Sequence, residues 1–390
     1  METIDRSKIN VVSFSSFYFQ EIGGAEMSVR ALSSLLDTAT NHIMITPSKV
    51  SDNAYIPQNV IHSFSDIKDW ALLVGTELLD RHLYNKMKGL YDWTQVDIIH
   101  IHDMFLLPSA SRIARKNNIP YVVTVRDPLP KPLWTERFSL PIKTMRAAML
   151  YMRNPRYKRD LSRADGIITV SKYIKEMVCD FTEIDTDKVT PIYNAAEFPR
   201  TEIEVLDSNK DVVYSVQTRL VPEKGVNHFI DAISILHSRG LNIKGVILGK
   251  GDQKKALQNQ AQKLGISDRI EFAGYISDRE KFRRFLLNTD VLVSAAIYPE
   301  PFTRIVLDAY CMNKAIVLTK AGGSLDLLDW GIAEFADPDN SQSLANAMER
   351  VYSFEKRVQF AKVLEQKGKI FESKNVLDQH LKKYTQIINQ

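Results

Sequence analysis

The sequence predicts two successive α/β domains, each a doubly wound parallel sheet with helices on both faces. Three observations carry this. The chain has 390 residues, too many for one ordinary hydrophobic core. Short apolar runs rich in Val and Ile alternate with amphipathic stretches, the pattern of parallel strands covered by crossover helices. The alternation then stops once and restarts. The stretch AAEFPRTEIEVLDSNK (195–210) is polar, holds Pro199 and lacks periodicity, so it reads as a linker.

The elements follow in order. Before the linker, strands are expected at INVVSF (9–14), HIMIT (42–46), DIIHI (97–101), YVVTV (121–125), GIITV (166–170) and VTPIY (189–193). A helical pattern at AEMSVRALSSLL (25–36) falls between the first two. After the linker come DVVYSVQ (211–217), IKGVILG (243–249), IEFAG (270–274), VLVSA (291–295) and AIVLT (315–319). Between the first two of these, Val226, Phe229, Ile230, Ile233 and Leu236 recur at helical spacing. At the chain's end Val376, Leu377, Leu381, Tyr384 and Ile387 form a second such stripe. No internal repeat or low-complexity segment is seen.

Composition narrows the function classes. Hydrophobic residues make up 44% and charged residues 25%, as in a soluble globular protein. The net charge of +4 is too mild to argue for nucleic acid as a partner. Cys179 and Cys311 lie far apart and outside any CxxC or Cys/His pattern, so neither a disulfide framework nor a zinc site is expected. The N-terminus does not read as a signal peptide, and no run is long enough to span a bilayer. A cytoplasmic setting is the simplest expectation.

In doubly wound sheets ligands bind beyond the carboxyl ends of the strands, and two facing domains place the site in a cleft between them. The turns at strand ends therefore carry the candidates. Gly23 and Gly24 open the first helix, either to admit a phosphate or simply to make a tight turn. Gly249 and Gly251 follow a strand, but Lys254 stands where a dinucleotide fingerprint has its third glycine. KAGGSLDLL (320–328) is a third such turn. In QTRLVPEKGVNHF, Arg219 and Lys224 flank a strand-to-helix turn, suited to a diphosphate or to plain solvation. The stretch YPEPFTRIVLDAYCMNKAIVL (298–318) sets Glu300 before an apolar run and Asp308 inside it, where a core helix ordinarily excludes acids.

Taken together these pieces resemble retaining nucleotide-sugar glycosyltransferases of family four, with the GT-B fold. The resemblance runs through IGGAE (22–26), DIIHIH (97–102), ADGIITVSKYIKE (164–176), PIYNAAE (191–197), RLVPEKG (219–225), LGKGD (248–252), FAGYISD (272–278), the segment from Glu300 to Asp308, and GGSLD (322–326). It implies two Rossmann-like domains facing a central cleft. Residues 1–198 would form the acceptor-side domain and 199–370 the nucleotide-sugar domain, with 371–390 crossing back to the first.

For the site, the resemblance implies that Arg219 and Lys224 hold the diphosphate and Glu300 bonds donor-sugar hydroxyls. These three are the expected catalytic residues. Backbone N–H groups around Phe302, Thr303 and Arg304 would face the phosphates. Asp308, eight residues beyond Glu300 and so about 12 Å along a helix axis, would bond the ribose. Gly23, Gly24, Arg126, Gly249 and Tyr275 are carried over as further donor-binding positions. The family pattern has Glu where Asp308 stands, Gly where Thr303 and Asn313 stand, and His where Arg126 stands. The implied transfer goes to a glycan or lipid-linked acceptor hydroxyl, with retention and without a metal cofactor. DTD (185–187) is accordingly not read as a metal site.

The stretch 131–165 interleaves basic residues with Trp134, Phe138 and several methionines. It suits either peripheral contact with an anionic inner membrane face or a solvated helical cover. Alternatives within the same fold are a nucleotide-sugar epimerase and a non-catalytic sugar-nucleotide-binding subunit.

Overall fold

The computed structural model describes residues 8–16, 24–46, 60–62, 77–127, 129, 154–202 and 211–390. These divide into two compact units, one of residues up to Ala195 plus Ser373–Gln390, the other Ala196–Glu372.

The first unit runs β1 (Asn10–Phe14), α1 (Gly24–Ala39), β2 (Asn41–Thr46), β3 (Val60–His62), α2 (Glu77–Met87), β4 (Ile98–Ile101), α3 (Leu107–Lys116), β5 (Tyr121–Val125), α4 (Asn154–Ser162), β6 (Gly166–Thr169), α5 (Lys172–Thr182) and β7 (Val189–Pro191). Its sheet is parallel throughout, in the order β3-β2-β1-β4-β5-β6-β7. Strands β4 and β5 are buried along their whole length, because helices cover both faces.

The second unit runs β8 (Val212–Gln217), α6 (Val226–Ser238), β9 (Ile243–Leu248), α7 (Lys254–Lys263), β10 (Ile270–Gly274), α8 (Arg279–Leu287), β11 (Val291–Ser294), α9 (Ile305–Met312), β12 (Ala315–Thr319), β13 (Glu334–Ala336), α10 (Ser341–Arg350) and α11 (Phe354–Lys367). Its sheet is also parallel, in the order β10-β9-β8-β11-β12-β13. The expected stripe on α6 is buried in this unit's core, with Phe229, Ile230, Ile233 and Leu236 wholly covered. Both sheets reverse their winding once, between β1 and β4 and between β8 and β11, and a crevice opens at such switch points.

The expected strands are all present, and two more appear. β3 and β13 have three residues each, too few to show periodicity. Both are edge strands, fixed by register against β2 and β12.

The helix that closes the chain, α12 (Ser373–Ile388), belongs to the first unit, where Val376, Tyr384 and Ile387 join its core. The boundary departs from the expected one at both crossings. Residues 196–198 and 371–372 pack in the second unit. Ala196 N–H donates to the Phe371 carbonyl at 2.8 Å. The fully buried Phe371 stacks on Trp330 and lies edge-on to Tyr310.

Among the described residues, the first unit's core holds four buried histidines, His42, His100, His102 and His380. His100 bonds the Tyr384 hydroxyl through Nδ1 and the Thr124 hydroxyl through Nε2, each at 2.6 Å. The rings of His100 and His102 lie 3.9 Å apart. Ser13 Oγ lies within hydrogen-bond reach of both His42 and His102, and Asp37 faces the other side of His42. Burial, with Arg126 and the neighbouring rings, holds His100 and His102 well below the ordinary imidazole value and His380 down to about 4.

A base with a depressed folded value is neutral in the folded state. Its stabilisation is complete above pH 6.5 and is lost as pH falls toward about 4. Acidification from pH 7.5 to 4.5 should therefore loosen the first unit ahead of the second, as read by peptide-resolved hydrogen exchange. His380→Gln, which cannot charge, should reduce that acid loss by up to about 3 kcal/mol. Equal acid loss in the two units would contradict this.

Candidate functional site

The second unit's switch point brings the loop after β8 against the loop after β11. The link is made by backbone. Gly225 ends the turn Pro222–Lys224 with φ +61°, and a Cβ there would lie 2.0 Å from the Ala295 carbonyl oxygen. Only glycine meets both demands. From the other side, Ile297 and Tyr298 N–H donate to the Glu223 carbonyl at 3.0 and 3.3 Å.

The loop after β12 closes on the same place. A Cβ on Gly323 would fall 2.0 Å from the Pro301 carbonyl oxygen, and Gly323 N–H donates to the Glu300 carbonyl at 2.7 Å. Thr319 Oγ1 donates to the Ala296 carbonyl at 2.6 Å. Glu300, between two prolines, is thus held by its main chain.

On this frame Lys224 Nζ forms an ion pair with Glu300 Oε1. Their side chains keep 16% and 19% exposure, so the pair stays open to a ligand. Arg219, in the same loop as Lys224, is exposed and makes no ion pair among the described residues. Two of the three expected catalytic residues are therefore in contact across two loops, and Arg219 shares the loop of Lys224.

Helix α9 begins just beyond. Phe302 packs on Phe371 with ring centres 5.9 Å apart, and Thr303 is buried, which fixes the helix start. All eight α9 residues are buried, Asp308 among them at 8% exposure. Among the described residues its carboxylate takes no hydrogen bond and no ion pair. Burial, only partly offset by Arg304 and reinforced by Glu197, pushes its pKa from the ordinary 3.8 up to about 6. The Arg304 guanidinium is instead engaged by Glu197, Nη2 to Oε1 at 2.6 Å. Asn313 takes a glycine's usual place at the end of α9 because its backbone is left-handed, φ +50° and ψ +46°, a conformation Asn tolerates.

The remaining sequence candidates fall elsewhere. Gly249 supports the loop after β8, since a Cβ would stand 1.8 Å from the Thr218 carbonyl oxygen; its lack of a side chain is explained by packing. Tyr275 follows the edge strand β10, with Lys250 Nζ over its ring at 4.9 Å. In the first unit Gly24 begins α1, and Gly23 lies outside the described residues. Arg126, at the carboxyl end of β5, donates to Asn194 Oδ1 at 2.7 Å beside a small cavity that Thr124 and His380 also line. At that unit's switch point Asp103 ties the two loops, accepting from Ser16 N–H at 2.6 Å and Leu106 N–H at 3.0 Å. Asp185 caps a turn by accepting from Asp187 N–H at 3.1 Å, the ordinary use of an Asp-x-Asp. Asp103, Asn194 and Glu197 carry no candidate role in the sequence reading, since nothing local distinguishes them from other polar loop residues.

Comparison with known proteins agrees with the fold. Residues 200–369 match the family model described as glycosyl transferases group 1, and residues 22–197 match that of glycosyltransferase family 4. The chain is 26% identical over 305 residues to an uncharacterized glycosyltransferase of Methanocaldococcus jannaschii, covering 73% of this chain and 72% of that one. It is 21% identical over 351 residues to a phosphatidylinositol N-acetylglucosaminyltransferase subunit of Saccharomyces cerevisiae, covering 87% and 74%. The crystal structure of Anabaena HepE in complex with UDP shares the fold, with TM-score 0.71 and 18% identity over 97% of this chain and 100% of that one.

The isolated carboxylate yields a prediction. A carboxyl group whose folded pKa is raised costs stability once ionised. That cost is absent below about pH 4, grows toward pH 6 and is full above it. Asp308→Asn should therefore stabilise the second unit by up to about 3 kcal/mol above pH 6.5 and leave it unchanged near pH 3.5. Thermal melts across that range test the point. A variant less stable at neutral pH would show that Asp308 has a structural partner.

Proposed function

Since the chain belongs to glycosyltransferase family 4 and has the GT-B fold, we propose that it moves a sugar from a nucleoside diphosphate sugar to an acceptor hydroxyl with retention. One observation carries this reading: the Lys224–Glu300 pair stands at the second unit's switch point, with the unpartnered Asp308 eight residues further on.

In the proposed reaction the diphosphate lies against Arg219 and Lys224 and the start of α9, where cations and a helix N-terminus both favour negative charge. The ribose hydroxyls donate to Asp308 and the sugar hydroxyls to Glu300. Lys224 and Glu300 neutralise each other in the free chain, so the donor exchanges both partners at once: the diphosphate takes the ammonium and the sugar takes the carboxylate. The bond from the anomeric carbon to the phosphate oxygen breaks, and its electron pair leaves with the diphosphate. The acceptor oxygen bonds to the same face of the sugar, and its proton passes to the departing phosphate. Leaving-group charge is met by Arg219 and Lys224, with no metal invoked. UDP is the first nucleotide to test, because the similarly folded HepE was solved with it.

For the acceptor we favour a glycan or lipid-linked hydroxyl, since relatives include a phosphatidylinositol N-acetylglucosaminyltransferase subunit and a lipopolysaccharide core glycosyltransferase. Among the described residues no helix is long and apolar enough to cross a membrane. In the basic stretch 131–165, residues 131–153 lie outside the described ones. Within α4, Arg156 pairs with Asp80, Lys158 with Glu183 and Arg159 with Asp160. A peripheral membrane contact therefore rests on the earlier part of the stretch. Replacing Lys131, Arg137, Lys143 and Arg146 by Gln should abolish pelleting with anionic liposomes, and unchanged pelleting would remove the idea.

The reaction is tested by nucleoside diphosphate release with and without acceptor. Acceptor-dependent release is the expected outcome. An isomerised donor without transfer would identify an epimerase, and binding without turnover a non-catalytic subunit. The double variant Arg219→Ala with Lys224→Ala should lose turnover by at least about 100-fold while melting as the parent does. Near-normal turnover would overturn the phosphate assignment.

A further inference from the structure

Two acids compete for one guanidinium in the second unit. Arg304 precedes Asp308 by four residues, the spacing at which helix side chains meet and an Arg–Asp pair ordinarily forms. It does not form here. Arg304 turns to Glu197, 2.6 Å away. Glu197 comes from the connection leaving the first unit, and that connection is fastened to α9 and its neighbours. Arg279 donates to the Glu197 carbonyl, Cys311 Sγ to the Phe198 carbonyl at 3.1 Å, and Thr201 N–H to the Cys311 carbonyl at 2.8 Å. Its side chain is 8% exposed. A carboxylate so buried and fixed holds a guanidinium in one place.

We infer that Glu197 is a positioning residue of the nucleotide site: it holds Arg304 aside, so that the Asp308 carboxylate stays an unshared acceptor for the vicinal hydroxyls of a ligand ribose. This rests on reading Asp308 as the ribose acceptor. Without Glu197, Arg304 would close onto Asp308 and occupy its oxygens. Without Arg304, two carboxylates would face one another and resist ionising together. Among the described residues Arg304 and Glu197 are the charged groups that act on Asp308, and Cys311, one turn on, is the other titratable neighbour. Nucleotide binding needs Asp308 ionised, so its affinity should fall as pH drops through about 6.

The test is calorimetric binding of UDP, GDP and inorganic pyrophosphate to the full chain between pH 5 and 8. Glu197→Gln should weaken the better-bound nucleotide about tenfold and move the pH midpoint below 6. Pyrophosphate affinity should stay within about twofold, because Arg219 and Lys224 are untouched. Arg304→Gln should move the midpoint upward, and Glu197→Asp should restore part of the affinity. Unfolding midpoints confirm that each variant folds. A purely structural role for Glu197 would lower the melting temperature and leave both the pH profile and the nucleotide-to-pyrophosphate ratio in place, which overturns the inference while the site reading stands. If neither nucleotide binds the unaltered chain, or Asp308→Asn binds as well as it does, the site reading falls and this inference falls with it.

Discussion

Backbone contact between loops at one sheet crevice governs the second unit's chemistry. Gly225 lets the loop after β8 touch the carbonyl of Ala295, and Gly322 and Gly323 let the loop after β12 touch Pro299 through Pro301. Main-chain contacts are shorter and stiffer than contacts through side chains, so three separate loops act as one rigid rim. Lys224 and Glu300 meet because their backbones have no room to part. A methyl group at any of these glycines would push the rim open by an ångström or more, on the scale at which charge placement fails.

Charges on this frame are divided in an orderly way. Lys224 is matched by Glu300, and Arg304 by Glu197. Asp308 is left over, buried and without a partner among the described residues. Burying a carboxylate alone is costly, and a fold keeps such a group where a ligand later supplies the missing donors. The site is thus assembled with its electrostatic balance one donor set short. On the proposed reading, affinity for the ribose and instability without it share a cause.

Much of this was legible in sequence because its signals are periodic or positional. Buried parallel strands such as YVVTV and AIVLT read as apolar runs, and the α6 stripe reads at helical spacing. The turn RLVPEKG and the Glu300–Asp308 spacing carry a recognisable order. Signals that depend on distant contact were not legible. β3 and β13 are strands only because a neighbour pairs with them. The Thr218 carbonyl that a Cβ on Gly249 would strike is invisible in the residues around that glycine. Within PIYNAAE nothing singles out Glu197, since its partner Arg304 lies 107 residues away. The bond from Ala196 to Phe371 leaves no trace in either segment, so the boundary between the units is not legible to the residue.

The two units also differ in continuity. The second is a single uninterrupted stretch, Ala196–Glu372, whereas the first needs Ser373–Gln390 to fill its core beside His100 and Val122. During synthesis the N-terminal segment leaves the ribosome first but cannot finish packing until the last helix arrives, while the later segment can close as soon as it is out. Completion therefore runs against the direction of translation. The nascent N-terminal sheet must wait with an apolar face uncovered while some 180 residues of the other unit are made, which makes that interval the point of greatest exposure to aggregation and the one at which chaperones would matter most.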